Sequence, residues 1–215
     1  MIPPASSPTV PRPPWVAVLP LLEDGFARAD SVDTLGTAET GQTWTHISFT
    51  GGELGILDGA MYASTLDDGA NIAYVTEEVV DGWQSVDFVL GPSTPTGMGV
   101  TPLIYRANFS TFNAYQLTSV DPDLLLIRID GGVPAVLGST PSPTLTPGEH
   151  ARIRGEWTGD QHRIYIDDEL VIEATDATYP TGMHGVGLNL TNVYLDRIIA
   201  GRGPWPGYQP YRRAT

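Results

Sequence analysis

The chain has 215 residues, 41% of them hydrophobic, with 25 acidic against 11 basic side chains and a formal net charge of −14. That hydrophobic share excludes a disordered chain. The absence of cysteine excludes disulfides, thiolate catalysis and zinc–thiolate sites, and the acidic balance argues against sequence-independent nucleic-acid binding and against anchoring to anionic lipid.

The first fourteen residues, MIPPASSPTVPRPP, contain six prolines and predict an extended polyproline arm over residues 1–18. Residues 15–22 (WVAVLPLL) are apolar but short, broken by proline and not preceded by a basic cluster. They read as a first strand or a docking segment, neither a secretory leader nor a membrane span. From residue 19 to residue 200 the pattern is period-two, interrupted by glycine and proline turns, which predicts one antiparallel β-sandwich.

Within it, residues 43–47, 61–63 and 71–76 alternate as strands, and residues 82–90 place Val86, Phe88 and Leu90 on one face. Three further strands set Leu103 and Tyr105 against Ile104 and Arg106, Tyr115 and Leu117 against Gln116 and Thr118, and Leu125, Ile127 and Ile129 against Leu126 and Arg128. Gly131-Gly132 is a two-residue hairpin signal. Residues 147–176 form three strands, with Ile153, Gly155, Trp157, Ile164 and Ile166 alternating with polar neighbours. The Asp167-Asp168 turn stands where Asp-Gly would be commonest, which leaves the hairpin type open. The expected core includes Trp44, Phe88, Tyr115, Leu117, Ile127, Trp157, Ile164, Ile166 and Leu188. Residues 201–215 form a proline-rich, aromatic and basic tail that lacks the periodicity to bury anything within the sandwich.

The run around Gly159-Asp160-Gln161-His162-Arg163-Ile164-Tyr165-Ile166-Asp167 resembles the late strands of concanavalin A-like jelly rolls, the laminin-G and lectin/glucanase group. Asn113-Ala114-Tyr115-Gln116-Leu117 is similar to a laminin-G-like strand. Asp24-Gly25-Phe26-Ala27-Arg28-Ala29-Asp30-Ser31, Leu35-Gly36, Gly41-Gln42-Thr43-Trp44 and residues 55–62 (GILDGAMY) resemble the opening of such domains in phage tail and other virion proteins. The resemblance covers residues 24–200. It implies an all-β, two-sheet antiparallel jelly roll with proline-rich terminal arms, and it leaves the function open.

Glucanases of this fold carry paired carboxylates two apart on one strand. Here Asp167-Asp168-Glu169 sits at a turn, and Glu77-Glu78 beside Asp81 lacks the spacing, so no catalytic residue is assigned. The four histidines, His46, His150, His162 and His184, form no ligand pair. Jelly rolls of this group often tie an early loop to the last strand through calcium, and the resemblance would place Asp24 and Asp196 at such a site. Arg106, Gln116, Thr118 and Arg128 fall opposite the apolar stripes of their strands and form a candidate glycan-binding patch.

These readings converge on a non-enzymatic phage virion component of the minor tail type, assembled in the bacterial host cytoplasm, that displays a glycan-binding sandwich to the host. Trp15, Trp205, Tyr208, Tyr211, Arg212 and Arg213 would supply contacts to neighbouring virion subunits. The alternative is a carbohydrate-binding module or lectin of a bacterial protein. A glycoside hydrolase lacks its acids.

Overall fold

The computed structural model describes residues 20–48, 51–65, 71–90, 100–188 and 193–207. Fifteen strands and no helix occur among these residues: β1 Leu22–Asp24, β2 Thr45–Ile47, β3 Glu53–Leu57, β4 Ala60–Thr65, β5 Asn71–Val79, β6 Gly82–Leu90, β7 Val100–Asn108, β8 Asn113–Val120, β9 Asp123–Asp130, β10 Val133–Pro141, β11 His150–Thr158, β12 Gln161–Ile166, β13 Glu169–Thr175, β14 Gly182–Leu188 and β15 Val193–Arg202. They form an eight-stranded sheet in the order β13-β12-β11-β6-β15-β4-β3, with β1 beside β15, and a seven-stranded sheet in the order β10-β9-β8-β7-β14-β5-β2. All pairings are antiparallel. The two sheets face each other across one core, the expected sandwich.

Alternation alone accounts for much of that core. Ile153, Trp157 and Ile164 are buried between the sheets, as are Phe88, Tyr115, Leu117 and Leu188. Trp157 lies flat on Tyr105, ring centroids 4.3 Å apart and 11° from parallel. Removing this much aromatic surface from water is the largest favourable contribution that a single side chain makes to such a fold. Ile166 is only partly buried at the core margin. Both residues of the Asp167-Asp168 turn have positive φ, 47° and 69°, as do Asp58-Gly59 and Gly131-Gly132. That is the type I′ geometry whose twist suits a tight hairpin.

Two strands defeat simple alternation. In β9 the run Leu124-Leu125-Leu126-Ile127 is apolar on both faces, so period two cannot tell inside from outside. Leu124 and Leu126 enter the core, and Ile127, although buried, lies on the opposite face, across from Gln116. The expected orientation of this strand is therefore reversed. In β7 the register against β14 slips on either side of Ile104, and Arg106 takes a φ of 47°. The extra residue of a bulge turns the following side chain to the other face. Arg106 accordingly points into the end of the sandwich and is 2% exposed.

The opening motif is a folding device. Asp24 is fully buried and accepts from Arg28 Nη1 (2.7 Å), Arg28 Nη2 (2.8 Å), the Phe26 amide (2.9 Å) and Trp44 Nε1 (2.6 Å). Arg28 Nε also donates to the Leu35 carbonyl (2.8 Å), the Trp44 amide donates to the Gly36 carbonyl (3.0 Å), and Phe26 stacks on Trp44. Asp24, Phe26, Arg28, Leu35, Gly36 and Trp44 thus satisfy one another, and together they fasten β1 to the long connection before β2.

Candidate functional site

The side chains expected to share a glycan-binding patch are dispersed. Arg106 donates to the Val80 carbonyl (Nε 2.9 Å, Nη2 2.7 Å), the Gly159 carbonyl (Nη1 2.8 Å) and Asp81 (3.3 Å). It pins the β5–β6 and β11–β12 turns together, and no face of it is left for a ligand. Arg128 donates to Asp130 (2.9 Å), Thr178 (3.1 Å) and Asp176 at the end of the sandwich. Gln116 and Thr118 do lie on the outer face of the seven-stranded sheet, where Thr118 shares a hydrogen bond with Thr101 (3.3 Å). Their neighbours there are Ile104, Ile127 and Ala114, an apolar surrounding rather than a polar patch.

Arg128 belongs to a network that closes one end. Tyr115 donates to Asp176 (2.6 Å), and Tyr179 donates to the Ile129 carbonyl (2.9 Å). His162 Nε2 lies 2.8 Å from the Asp176 carbonyl and Nδ1 2.9 Å from the Tyr105 hydroxyl. A carbonyl only accepts, so the Nε2–H tautomer is fixed and Tyr105 donates to Nδ1. Burial opposes the charge of Asp176, but hydrogen bonds from Tyr115, Thr178 and Arg128 outweigh it and hold this carboxyl well below the usual range. Burial pushes the Tyr115 hydroxyl up to about 12. These are stabilising pairs, with no group poised for proton transfer near neutrality.

The calcium expectation does not fit the geometry. Asp24 faces the interior with its oxygens taken by Arg28, Trp44 and the Phe26 amide, whereas Asp196 pairs with His150 (3.2 Å) on the outer face. Among the described residues no group of three or more His, Cys, Asp or Glu side chains is arranged to hold a metal ion. Of the six expected assembly residues, only Trp205 lies among those described. It is half-buried on the outer face of the eight-stranded sheet, edge-on to Trp83 at 4.4 Å between ring centroids, so this part of the tail packs on its own domain. Trp15, Tyr208, Tyr211, Arg212 and Arg213 lie outside the described residues.

A concavity with room for a ligand lies elsewhere. A groove of about 1170 Å³ runs over the outer face of the eight-stranded sheet, lined by Glu23 (β1), Asp58 (β3–β4 turn), Asp87 (β6), His150 and Arg152 (β11), Asp167 and Asp168 (β12–β13 turn), and Asp196 and Arg197 (β15), with Glu39 at its margin. Asp87 sits between the core residues Val86 and Phe88 and must therefore point outward. Register places it directly opposite both Arg152 and Arg197. Arg152 grips Asp87 through two bonds, Nε to Oδ1 at 2.6 Å and Nη2 to Oδ2 at 3.1 Å. The Arg152 amide donates to the Asp167 side chain (2.9 Å), and the Asp167 amide returns a bond to the Arg152 carbonyl (2.9 Å). Arg197 pairs with Glu23.

The groove therefore presents planar carboxylates and guanidinium groups held by their neighbours. Such groups bind adjacent hydroxyls without having to order themselves first. Seven of the lining side chains are carboxylates against Arg152, Arg197 and His150, which sets a negative potential over it.

No family model matches the chain. An alignment of 154 positions that covers 67% of the chain is 25% identical to a levanase of Bacillus subtilis (strain 168). The chain spans about a fifth of that enzyme's length. Among solved structures it is similar to the carbohydrate-binding module CBM66 from Bacillus subtilis, with TM-score 0.57 and 20% identity over 74% of this chain and 92% of that one. The Emp47p carbohydrate recognition domain gives 0.60 and 12% over 85% and 95%, and the VIP36 exoplasmic/lumenal domain in its Ca2+/Man3GlcNAc-bound form gives 0.59 and 13% over 77% and 85%. The fold is a galectin- and lectin-like sandwich.

The groove escaped the sequence because its residues come from strands and turns scattered from β1 to β15. One signal was present. The alternation that sends Ile153 and Trp157 inward sends Arg152, Arg154 and Glu156 outward along the same strand, and Asp167-Asp168 follows one strand later, at the β12–β13 turn.

Proposed function

We propose that this domain is a non-catalytic carbohydrate-binding module that takes a neutral saccharide in the groove around Asp87, Arg152 and Arg197. The observation that carries the reading is the groove itself: a ligand-sized depression whose carboxylates and guanidinium groups are already oriented by mutual pairing. The likeness to part of a levanase and to a carbohydrate-binding module supports it and makes levan the first glycan to try. The excess of carboxylates disfavours acidic polysaccharides. With neutral hydroxyls as the bonding partners, binding should depend little on ionic strength.

The test is retention on levan. Wild-type protein is expected to be retained, and replacing Arg152 and Arg197 by Ala should weaken binding about tenfold or more, because hydrogen bonds to charged groups are lost. Gln116→Ala, on the outer face of the other sheet, should bind as wild type. The opposite pattern would move the site to the seven-stranded sheet, and no retention of the wild type on levan or other neutral glycans would overturn the reading. A place in a phage particle is a separate proposal. It stands on the resemblance of residues 24–62, and detection of the protein in purified particles is its test.

A further inference from the structure

Beyond the groove, the outer face of the eight-stranded sheet carries a second group of side chains. Trp83 (β6) lies across Gly201 (β15), so closely that a Cβ there would come within 2.5 Å of the indole. Only glycine permits that approach. On the neighbouring strand Arg154 (β11) stretches over the Tyr165 ring (β12), its Cζ 3.9 Å from the centroid. Both side chains are nearly inaccessible, Trp83 at 2% and Arg154 at 6% exposed.

Residues 203–207 cross this spot as a strap. Gly203 leaves β15 with a φ of 72°, Gly207 has a φ of 91°, and the Gly203 amide donates to the Asp81 carbonyl (3.0 Å). Between them Trp205 sets its ring edge-on to Trp83 at 4.4 Å and faces the Arg154 guanidinium at 5.1 Å. The fit is incomplete in one respect. Among the described residues, two buried donors at this spot, Trp83 Nε1 and Arg154 Nε, have no acceptor. Buried donors are ordinarily paired, and an indole cannot pair them, because it offers a donor and no acceptor.

A sugar ring offers what the indole lacks. Its C–H face packs on aromatic rings as Trp205 does, and its hydroxyl oxygens accept from N–H donors. The spot also connects to the groove, since Arg154 Nη2 lies 3.4 Å from Asp168, a groove-lining residue. We propose that Trp83, Arg154 and Tyr165 form a saccharide subsite continuous with the groove, and that Trp205 covers it in place of a sugar unit. The inference rests on the carbohydrate reading above and deepens it. The ligand is then a chain long enough to fill the groove and displace the strap, and the groove alone serves shorter ones.

The experiment compares the full chain with its Trp205→Ala variant, titrated calorimetrically with short and long levan fragments, with near-ultraviolet circular dichroism to verify that the fold is intact. Trp205 lies outside the core, so its loss leaves the sandwich standing. The variant should bind long fragments about three- to tenfold more tightly than wild type, the range of one aromatic contact, with short fragments unchanged. Adding Arg154→Gln to that variant should remove the gain. Equal or weaker binding of long fragments by Trp205→Ala overturns the covered subsite while leaving the groove in place. No binding of either length by either protein overturns both.

Discussion

Replacing Trp157 by Ala is expected to lower the stability of the domain by about 3–5 kcal/mol and its melting temperature by about 10 °C. The indole is 1% exposed, stacks on Tyr105 and lies 5.3 Å from the His184 ring. Truncation removes its transfer free energy and leaves a void between two sheets that are each tied by backbone ladders and cannot close over it. Urea unfolding followed by tyrosine fluorescence and far-ultraviolet circular dichroism measures the loss. A change under about 1 kcal/mol, the ordinary surface range, would mean that β11 presents its other face to the core.

Acid should destabilise the fold before its carboxylates titrate, through His184. This side chain is fully buried, and burial, aided by the charge of Arg202, pushes its pKa down to about 3. Gln84 Nε2 donates to the Pro102 (3.3 Å) and Gly185 (2.9 Å) carbonyls, which turns the amide oxygen toward His184 Nδ1 at 3.3 Å. Nδ1 therefore carries the proton, and Nε2, which has no partner among the described residues, stays bare. A second proton would sit there with nothing to accept it. The unfolded imidazole protonates near its ordinary value of about 6.5, so the folded state is favoured fully above that value and loses ground as the pH falls toward about 3. The slope is about 1.4 kcal/mol per pH unit, on the order of 3 kcal/mol between about pH 6.5 and pH 4. Urea midpoints across that range should fall more steeply for wild type than for His184→Gln, which keeps a donor for Gln84 and has no titrating group. His162, also depressed by burial, adds to the fall in both proteins. Identical slopes would show that His184 is solvated.

Alternation, turn residues and composition are local properties of the chain, and they determined the architecture. Ile153, Trp157 and Ile164 point inward because a strand's side chains alternate and only one face meets the other sheet. The paired positive φ angles at Gly131-Gly132 and Asp167-Asp168 follow from residues that tolerate the left-handed region. The opening motif could be read as a motif before its purpose was visible. That Asp24, Arg28, Trp44 and Leu35 satisfy one another needs the chain to return on itself.

What the sequence left open turned on relations between strands. In β9 both faces are apolar, so only the facing sheet decides that Leu126 is inside and Ile127 outside. In β7 one bulge reverses Arg106, and a bulge leaves no mark in the alternation of a single strand. The groove is set by register. Asp87, Arg152 and Arg197 become neighbours because β6 lies between β11 and β15, strands that enter far later in the chain. Trp205 was legible only as a large aromatic in a tail without periodicity, since nothing local says that Trp83 and Arg154 wait for it on the sheet. Pairing partners distant in sequence are chosen by the packing of the whole sandwich, and for that reason the tertiary structure alone decided where a ligand could bind.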